Sequence, residues 1–158
     1  MANASTTEAV LDARIQQMVL QWSQGRVSLH QMIGLSAAEL HAISSQGYHF
    51  FLQGKAEEAR IIFEGLVALD PRNSYYLRAL GVIYWRLKDP ERALAQFSYA
   101  MRVAPYEVSS YVNRAEVYIA TQQYESAKKD LFHVLSIAHE HDAPLVRKAQ
   151  AMLRMIGE

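Results

Sequence analysis

Histidine and acidic side chains are the groups in this chain whose spacing could indicate a reaction or a metal site. His139 and His141 flank Glu140, but two histidines separated by one residue do not share a face of a helix. An exposed polar helix end explains this segment better than a metal site does. The other four of the six histidines are scattered, and no glycine-rich phosphate loop, paired-carboxylate motif or nucleophile elbow occurs. The sequence therefore predicts a protein that is not an enzyme and that needs no metal or cofactor.

The amino-acid composition excludes several further classes of function. The chain has 158 residues, enough for one domain with a sizeable core, and its 16 basic residues balance its 16 acidic ones. A net charge of zero gives no electrostatic basis for binding nucleic acid or an anionic membrane. The chain has no cysteine, no apolar run long enough to span a membrane and no basic-then-apolar N-terminal segment. We therefore expect a cytoplasmic protein without disulfides or stable membrane insertion.

A sequence pattern that recurs after 34 residues sets the positions of the remaining candidate residues. The first copy reads Ile43, Gln46-Gly47, Phe50, Ala59, Phe63 and Pro71. The second copy reads Leu77, Leu80-Gly81, Tyr84, Ala93, Phe97 and Pro105. This is the tetratricopeptide signature, which is typical of two antiparallel helices per repeat. The small residues let the two helices approach closely, the aromatic residues fill the space around them, and each proline ends the second helix.

A third copy continues the pattern in the same register. It contains Tyr111, Ala115, Tyr118, Ala127 and Leu131, with Arg114 in place of the expected leucine and His139 in place of the proline. We predict an all-α solenoid of three helix pairs, covering about 40–73, 74–107 and 108–141, within a unit spanning 36–158. Residues 143–156 form an amphipathic pattern that predicts a C-terminal capping helix.

Capping signals place several helix starts. Ser5 with Glu8, and Ser36 with Glu39, have the spacing of capping boxes. Asp89-Pro90 places an N-cap residue before a proline at the first helical position. Residues 1–35 should therefore hold an N-terminal helix, which Gly25 ends, and a short helical turn in a connector. The helix carries an apolar stripe that could fold back on the repeats or meet a second copy of the chain: Leu11, Ile15, Met18, Val19 and Trp22.

The first helices of the three pairs should line a concave surface, because such repeats stack into a curved array. Four positions on each helix should point into it: His41, Ser44, Tyr48 and Phe51; then Tyr75, Arg78, Val82 and Trp85; then Ser109, Val112, Glu116 and Ile119. The alternative is that these aromatic residues belong to the core. Because other residues already fill the core positions of the repeat, a groove for an extended apolar peptide is the better interpretation.

One known tetratricopeptide function is disfavoured by the groove residues. Domains that grip the C-terminal carboxylate of heat-shock chaperones need Lys and Asn in the first repeat, where this chain has Ser44 and Tyr48. A co-chaperone role of that kind is therefore not expected.

From about Gly25 onward the chain resembles the class II chaperones of bacterial type III secretion. The resemblance lies in the connector RVSLHQMIGLSAAELHAI, in the run QGKAEEARIIFEGLVALDP and in RKAQAML of the last helix. It implies a cytoplasmic homodimer that binds an extended segment of hydrophobic translocator proteins and keeps them soluble before export. It also implies three groove aromatics on the first helix; two are Tyr48 and Phe51, and Ser44 stands at the third place.

A second hypothesis of another class remains open from the sequence. The chain could be a non-catalytic adaptor that bridges two folded partners through its convex face or its N-terminal helix. A translocator encoded beside this chain would favour the chaperone, and its absence would favour the adaptor.

Overall fold

The computed structural model describes residues 16–24 and 26–157, and all regular structure within them is helical. The helices are α1 (16–23 among the described residues), α2 (Leu29–Ile33), α3 (Ala37–Leu52), α4 (Ala56–Leu69), α5 (Ser74–Arg86), α6 (Pro90–Val103), α7 (Val108–Ala120), α8 (Tyr124–Ile137) and α9 (Ala143–Ile156). A short 3₁₀ turn, Glu140–Asp142, precedes α9. No helix in these two ranges is both long enough and apolar enough to cross a membrane.

Three helix pairs, α3 with α4, α5 with α6 and α7 with α8, stack in chain order, and α9 packs against the last pair. This is the predicted tetratricopeptide solenoid with an N-terminal helix and a C-terminal capping helix. Among the described residues, α9 turns Ala149, Met152 and Leu153 into the interior and leaves its basic side chains outside.

Local sequence signals account for the helix ends. The Ser36 hydroxyl accepts the Glu39 backbone N–H at 3.2 Å, and the Glu39 carboxylate accepts the Ser36 N–H at 2.8 Å, which confirms that capping box. Asp89 accepts the Arg92 N–H at 3.0 Å with Pro90 following it, also as predicted. The Ser5–Glu8 capping box and the stop at Gly25 lie outside the described residues.

The turn inside each pair has the same geometry in all three repeats. Gly54, Lys88 and Gln122 occupy one equivalent position and have φ of 78°, 64° and 61°. In the second repeat the backbone N–H groups of Lys88 and Asp89 donate to the carbonyls of Trp85 and Tyr84 at 3.1 and 3.0 Å. This pattern satisfies the last carbonyls of a helix and requires a left-handed residue after it.

Close helix contact inside the first two pairs depends on glycine. A Cβ at Gly47 would lie 2.8 Å from the Ile62 side chain, and one at Gly81 would lie 2.6 Å from the Phe97 ring. Phe63 and Phe97 are almost fully buried, each in the space that the missing side chain leaves. The glycines of the repeat pattern are therefore needed for packing, as predicted.

The third pair replaces part of its apolar contact with an ion pair. Arg114 donates to both carboxylate oxygens of Asp130 at 2.8 and 2.7 Å and to the Ser98 hydroxyl at 2.8 Å. Asp130 is buried and Arg114 is largely so. Burial lowers the pKa of Arg114, but hydrogen bonds and charge from Asp130 outweigh it, so the pKa lies above the ordinary arginine value. The arginine that breaks the repeat pattern is thus compensated by an aspartate on the facing helix.

Candidate functional site

A cavity of about 150 Å³ opens between the first helices of repeats one and two. It brings together five of the residues that the sequence assigned to the groove, and Phe63, Ala79 and Ile83 complete its wall. The five are Tyr48, Phe51, Tyr75, Arg78 and Val82. An apolar space of this volume is large enough for one aromatic ring or one branched aliphatic side chain. We call it the first cavity.

The wall of the first cavity is aromatic and partly exposed. Tyr48 and Tyr75 keep 52% and 42% of their surface accessible, far more than a core aromatic residue does. The Tyr75 ring meets the edges of Phe63 and Tyr76 at centroid distances of 6.3 and 5.8 Å, which fixes its orientation. The cavity is therefore a preformed apolar surface that faces the outside.

Arg78 supplies the charge at this cavity. Its guanidinium lies 5.8 Å from the centre of the Tyr75 ring, and it forms an ion pair with Glu107, the residue that precedes α7. Burial lowers the pKa of Arg78 below the ordinary arginine value, and it stays protonated at neutral pH. Arg78 thus joins repeat two to repeat three and retains donors for a carbonyl or carboxylate of a bound chain.

A second, wider cavity of about 300 Å³ lies between α5, α7 and α9. Trp85, Glu116 and Ile119, three further predicted groove residues, line it together with Ala120, Met152 and Met155. Lys148 of α9 forms an ion pair with Glu116 at 2.7 Å. We call it the second cavity.

Two of the predicted groove residues do not face outward. Val112 is 0% exposed and packs in the core formed by α7, α8 and α9, and Ser44 is buried with its hydroxyl donating to the His41 carbonyl at 2.9 Å. Ser44, Arg78 and Val112 occupy equivalent positions of the repeat. That position points toward the interior, and only the long side chain of Arg78 reaches the surface. His41 is exposed on α3, and neither cavity includes it.

The structure describes three of the five residues of the predicted dimer surface. Val19 and Trp22 are exposed and Met18 is half-buried, while Leu11 and Ile15 lie outside the described residues. Leu20 adds an exposed apolar side chain that the sequence analysis did not single out.

The histidine segment has no metal-binding geometry. His139 and His141 stack at a centroid distance of 5.8 Å beside the 3₁₀ turn. Within 16–24 and 26–157, no group of three histidine or acidic side chains is placed to hold an ion.

Comparison with known proteins shows which solved structures share the fold of this chain. A family model described as "Tetratricopeptide repeat" matches residues 108–141, the third copy. SycD, the type III secretion translocator chaperone of Yersinia enterocolitica, is 20% identical and aligns over 82% of this chain and 98% of its own, with a TM-score of 0.79. PcrH, in complex with the chaperone binding region of PopD, is 26% identical over 78% of this chain and 94% of its own, with a TM-score of 0.74. The chain has the fold of these two solved structures.

Two further similarities extend over most of the chain. A T3SS complex from Aeromonas hydrophila contains a chain that is 22% identical and covers 89% of this chain and 95% of its own, with a TM-score of 0.83. Among curated sequences, anaphase-promoting complex subunit 3 of Schizosaccharomyces pombe is 22% identical over 118 residues, or 75% of this chain. The chain spans only 18% of the length of that relative.

Several residues that contact or line the two cavities were not predicted from the sequence as groove residues. Glu107, in the turn before α7, forms an ion pair with Arg78. Its place two residues after Pro105 gives no sequence signal for this ion pair. Met152 and Met155 of the capping helix reach the second cavity. The apolar spacing of Met152 predicted a buried helix face, but not that this face borders the groove, and the sequence pattern did not single out Met155.

Proposed function

We propose that this chain is a cytoplasmic chaperone of type III secretion that binds an extended apolar segment of a hydrophobic translocator protein and keeps it soluble before export. The first cavity is the observation that carries the proposal, because it offers partly exposed aromatic side chains on a rigid helical scaffold. PcrH, which shares the fold, was solved with the chaperone binding region of PopD.

The physical basis is binding without a chemical step. Burying one aliphatic side chain in a preformed apolar pocket contributes about 1.5–3 kcal/mol. A rigid array of helices avoids an ordering cost on the chaperone side, so less of that energy is lost on binding. Binding of the apolar segment lowers the concentration of the free client, which would otherwise self-associate or enter a membrane.

Co-expression with hydrophobic secreted proteins tests the proposal. We expect such a protein to remain soluble and to co-purify with the chain. Tyr75→Ala should reduce its recovery about tenfold, since a buried aromatic anchor typically contributes more than 1 kcal/mol to an interface. Tyr124→Ala is the matched control, because Tyr124 lies on α8, outside both cavities, and is 44% exposed.

The outcomes separate the chaperone from the adaptor. Unchanged recovery with Tyr75→Ala, in a variant whose circular dichroism shows an intact fold, would refute the groove. Co-purification of folded, non-hydrophobic partners instead of a translocator would favour the bridging adaptor.

We also propose that the chain forms a homodimer through α1. The exposed Val19, Leu20 and Trp22 support this, and one SycD structure is described as an alternative dimer. Val19→Asp should halve the mass measured by light scattering, whereas Gln17→Asp, at an exposed polar position of the same helix, should leave it unchanged. A mass that Val19→Asp does not change would reject α1 as the interface.

A further inference from the structure

The turns that link one repeat to the next lie along one edge of the array. Helices within a pair are antiparallel and the pairs stack in chain order, so α4 and α6 end on the same side. Arg72 lies in the turn after α4, and Tyr106, 34 residues later, occupies the equivalent place in the turn after α6. We call the surface around these turns, formed by Arg26, Arg72, Tyr99, Arg102 and Tyr106, the inter-repeat edge.

A third cavity, of about 340 Å³, lies where the connector before α2 meets the turn after α4. Arg26 and Arg72 line it from these two segments, and Val27 and Pro71 add apolar wall. Asp70 also lines it, and its carboxylate accepts a side-chain N–H from its own turn at 3.4 Å. The third cavity therefore combines apolar surface with two guanidinium groups and one carboxylate that already has a partner.

A fourth cavity, of about 400 Å³, lies beside the end of α6 and shares Arg72 with the third. Tyr99, Arg102 and Val103 form the rest of its lining. The Arg102 guanidinium lies 5.0 Å from the centre of the Tyr99 ring, and this contact restricts its orientation. A guanidinium held over a ring keeps the N–H groups at its edge available, so Arg102 is preorganised to bind a carboxylate.

The arginines of the inter-repeat edge differ from others in the array in having no carboxylate partner. Four arginines elsewhere each form an ion pair with a carboxylate: Arg60, Arg78, Arg92 and Arg114. Within the part of the chain that the structure describes, Arg26, Arg72 and Arg102 form no ion pair, and all three are exposed. Because basic and acidic residues balance over the whole chain, this edge is a local excess of positive charge.

The chemistry of the inter-repeat edge fits an acidic segment of a partner protein. A guanidinium binds a carboxylate through two parallel N–H···O bonds, and apolar walls beside it accept a neighbouring apolar side chain. Tyr106 is 77% exposed and extends the edge with further aromatic surface. A nucleic acid fits less well, because its binding depends on many phosphates meeting a wide basic surface, whereas this chain has zero net charge.

We propose that the inter-repeat edge docks an acidic segment of a second partner protein, in which carboxylates alternate with apolar residues. Carboxylates of this segment bind Arg72 and Arg102, and an apolar side chain between them contacts Tyr99. The third and fourth cavities share no lining residue with the first and second, so this surface is separate from the groove. The inference goes beyond the proposed chaperone function and does not depend on it.

Fluorescence anisotropy with a labelled peptide tests the proposal. The probe is a fluorescein-labelled peptide in which aspartate alternates with leucine and phenylalanine, and the reference peptide has asparagine in place of every aspartate. We expect the full chain to bind the aspartate peptide about tenfold more tightly than the asparagine peptide. Arg102→Glu and Arg72→Glu should each weaken binding of the aspartate peptide about fivefold, because each replaces an attraction by a repulsion.

Arg86→Glu is the matched control. Arg86 is exposed and lies in the last turn of α5, as Arg102 lies in the last turn of α6, but α5 ends on the opposite edge of the array. Its replacement changes the net charge equally and should leave peptide binding unchanged. An Arg86→Glu variant that loses as much binding as Arg102→Glu would show that binding follows net charge and would overturn the inference. Equal binding of the two peptides would overturn it too.

Three other results would overturn the inference by reassigning the surface. If Tyr75→Ala weakens peptide binding as much as Arg102→Glu does, the peptide occupies the groove. If a fluorescein-labelled DNA duplex binds more tightly than the aspartate peptide and Arg102→Glu abolishes that binding, the edge is a nucleic-acid surface. If Arg102→Glu lowers the mass measured by light scattering, the edge is a contact between copies of this chain.

The inference and the chaperone function fail separately. Arg102→Glu should leave the recovery of a hydrophobic client in co-expression unchanged, because Arg102 lines neither the first nor the second cavity. Loss of the client in this variant, with an intact fold by circular dichroism, would show that the edge belongs to the client site and would overturn a separate docking surface. If the aspartate peptide binds as expected while no client co-purifies with the wild type, the chaperone function alone is wrong.

Discussion

Replacing Lys88 or Gln122 by glycine should stabilise the protein. Both residues have positive φ, 64° and 61°, at the position where repeat one has Gly54 with φ of 78°. At such angles the Cβ of an L-residue approaches its own backbone carbonyl, which glycine avoids. The substitution therefore removes backbone strain without changing the turn.

The magnitude follows from two opposing contributions. A left-handed backbone costs an L-residue about 1–2 kcal/mol relative to glycine. Glycine also adds freedom to the unfolded chain, which costs about 0.5–1 kcal/mol. The net gain should be about 0.5–1 kcal/mol at each site, which raises the melting temperature of a chain of this size by about 1–4 °C.

Thermal and urea unfolding, followed by circular dichroism, measure the effect. Lys88→Ala and Gln122→Ala are the controls, because they remove the side chain but keep the Cβ and its strain. The glycine variants should be more stable than both the wild type and the alanine variants, and Gly54→Ala should be less stable than the wild type. A glycine variant no more stable than its alanine counterpart would refute the strain argument.

Three further changes test packing and charge. Gly81→Ala should destabilise by about 2–3 kcal/mol in urea unfolding, because its Cβ would lie 2.6 Å from a buried ring. Asp130→Asn should cost about 3 kcal/mol in the same assay, since it leaves Arg114 largely buried without its carboxylate. The Tyr84 hydroxyl donates to Glu64 at 2.6 Å and lowers the pKa of that carboxyl, burial opposes this, and Arg60 adds to the lowering. The pKa of Glu64 is lower in the folded protein than in the unfolded chain, so the stability difference between wild type and Tyr84→Phe should be complete above the ordinary glutamate pKa of about 4.3. It should shrink as the pH falls from there through the lower pKa of the folded protein.

Each of these changes has a control. Gly65→Ala should be neutral or stabilising, because a Cβ there meets nothing within 4 Å. The double variant Arg114→Leu with Asp130→Gln copies the residues of repeat two and should recover most of the loss from Asp130→Asn. For the pH experiment, a difference between wild type and Tyr84→Phe that is the same at acidic and neutral pH would contradict the assigned hydrogen bond.

The sequence predicts the scaffold because each of its signals is local. Capping residues such as Ser36 and Asp89 bind backbone groups three residues away, and Gly47 and Gly81 reflect one contact that recurs in the first two repeats. A pattern with a fixed period repeats these contacts, so helix positions follow from the sequence alone. The third pair keeps the same positions although Arg114 departs from the pattern.

The site is predicted less completely because it depends on the reach of side chains and on distant segments. Ser44 and Val112 share a repeat position with Arg78, yet only the arginine is long enough to leave the interior. Glu107 contacts Arg78 of the first cavity, and Met155 lines the second cavity. Both contacts result from the stacking of the repeats and of α9, which no local sequence signal encodes. Tertiary packing therefore decides which of the predicted groove residues are buried and which are exposed.

Helix α3 is held less firmly than the other first helices of the array. It buries Leu40, Ser44 and Gly47, whereas α5 and α7 each bury six residues within the part of the chain that the structure describes. Local opening should therefore need less free energy in α3, so its backbone amides should exchange with solvent faster than those of α5. Because α3 carries Tyr48 and Phe51, a client in the first cavity raises that opening free energy by RT ln(1 + [client]/Kd). Client binding in the first cavity and the local folding of α3 are thus linked, and the change in hydrogen exchange of α3 on adding the client measures the affinity of the client.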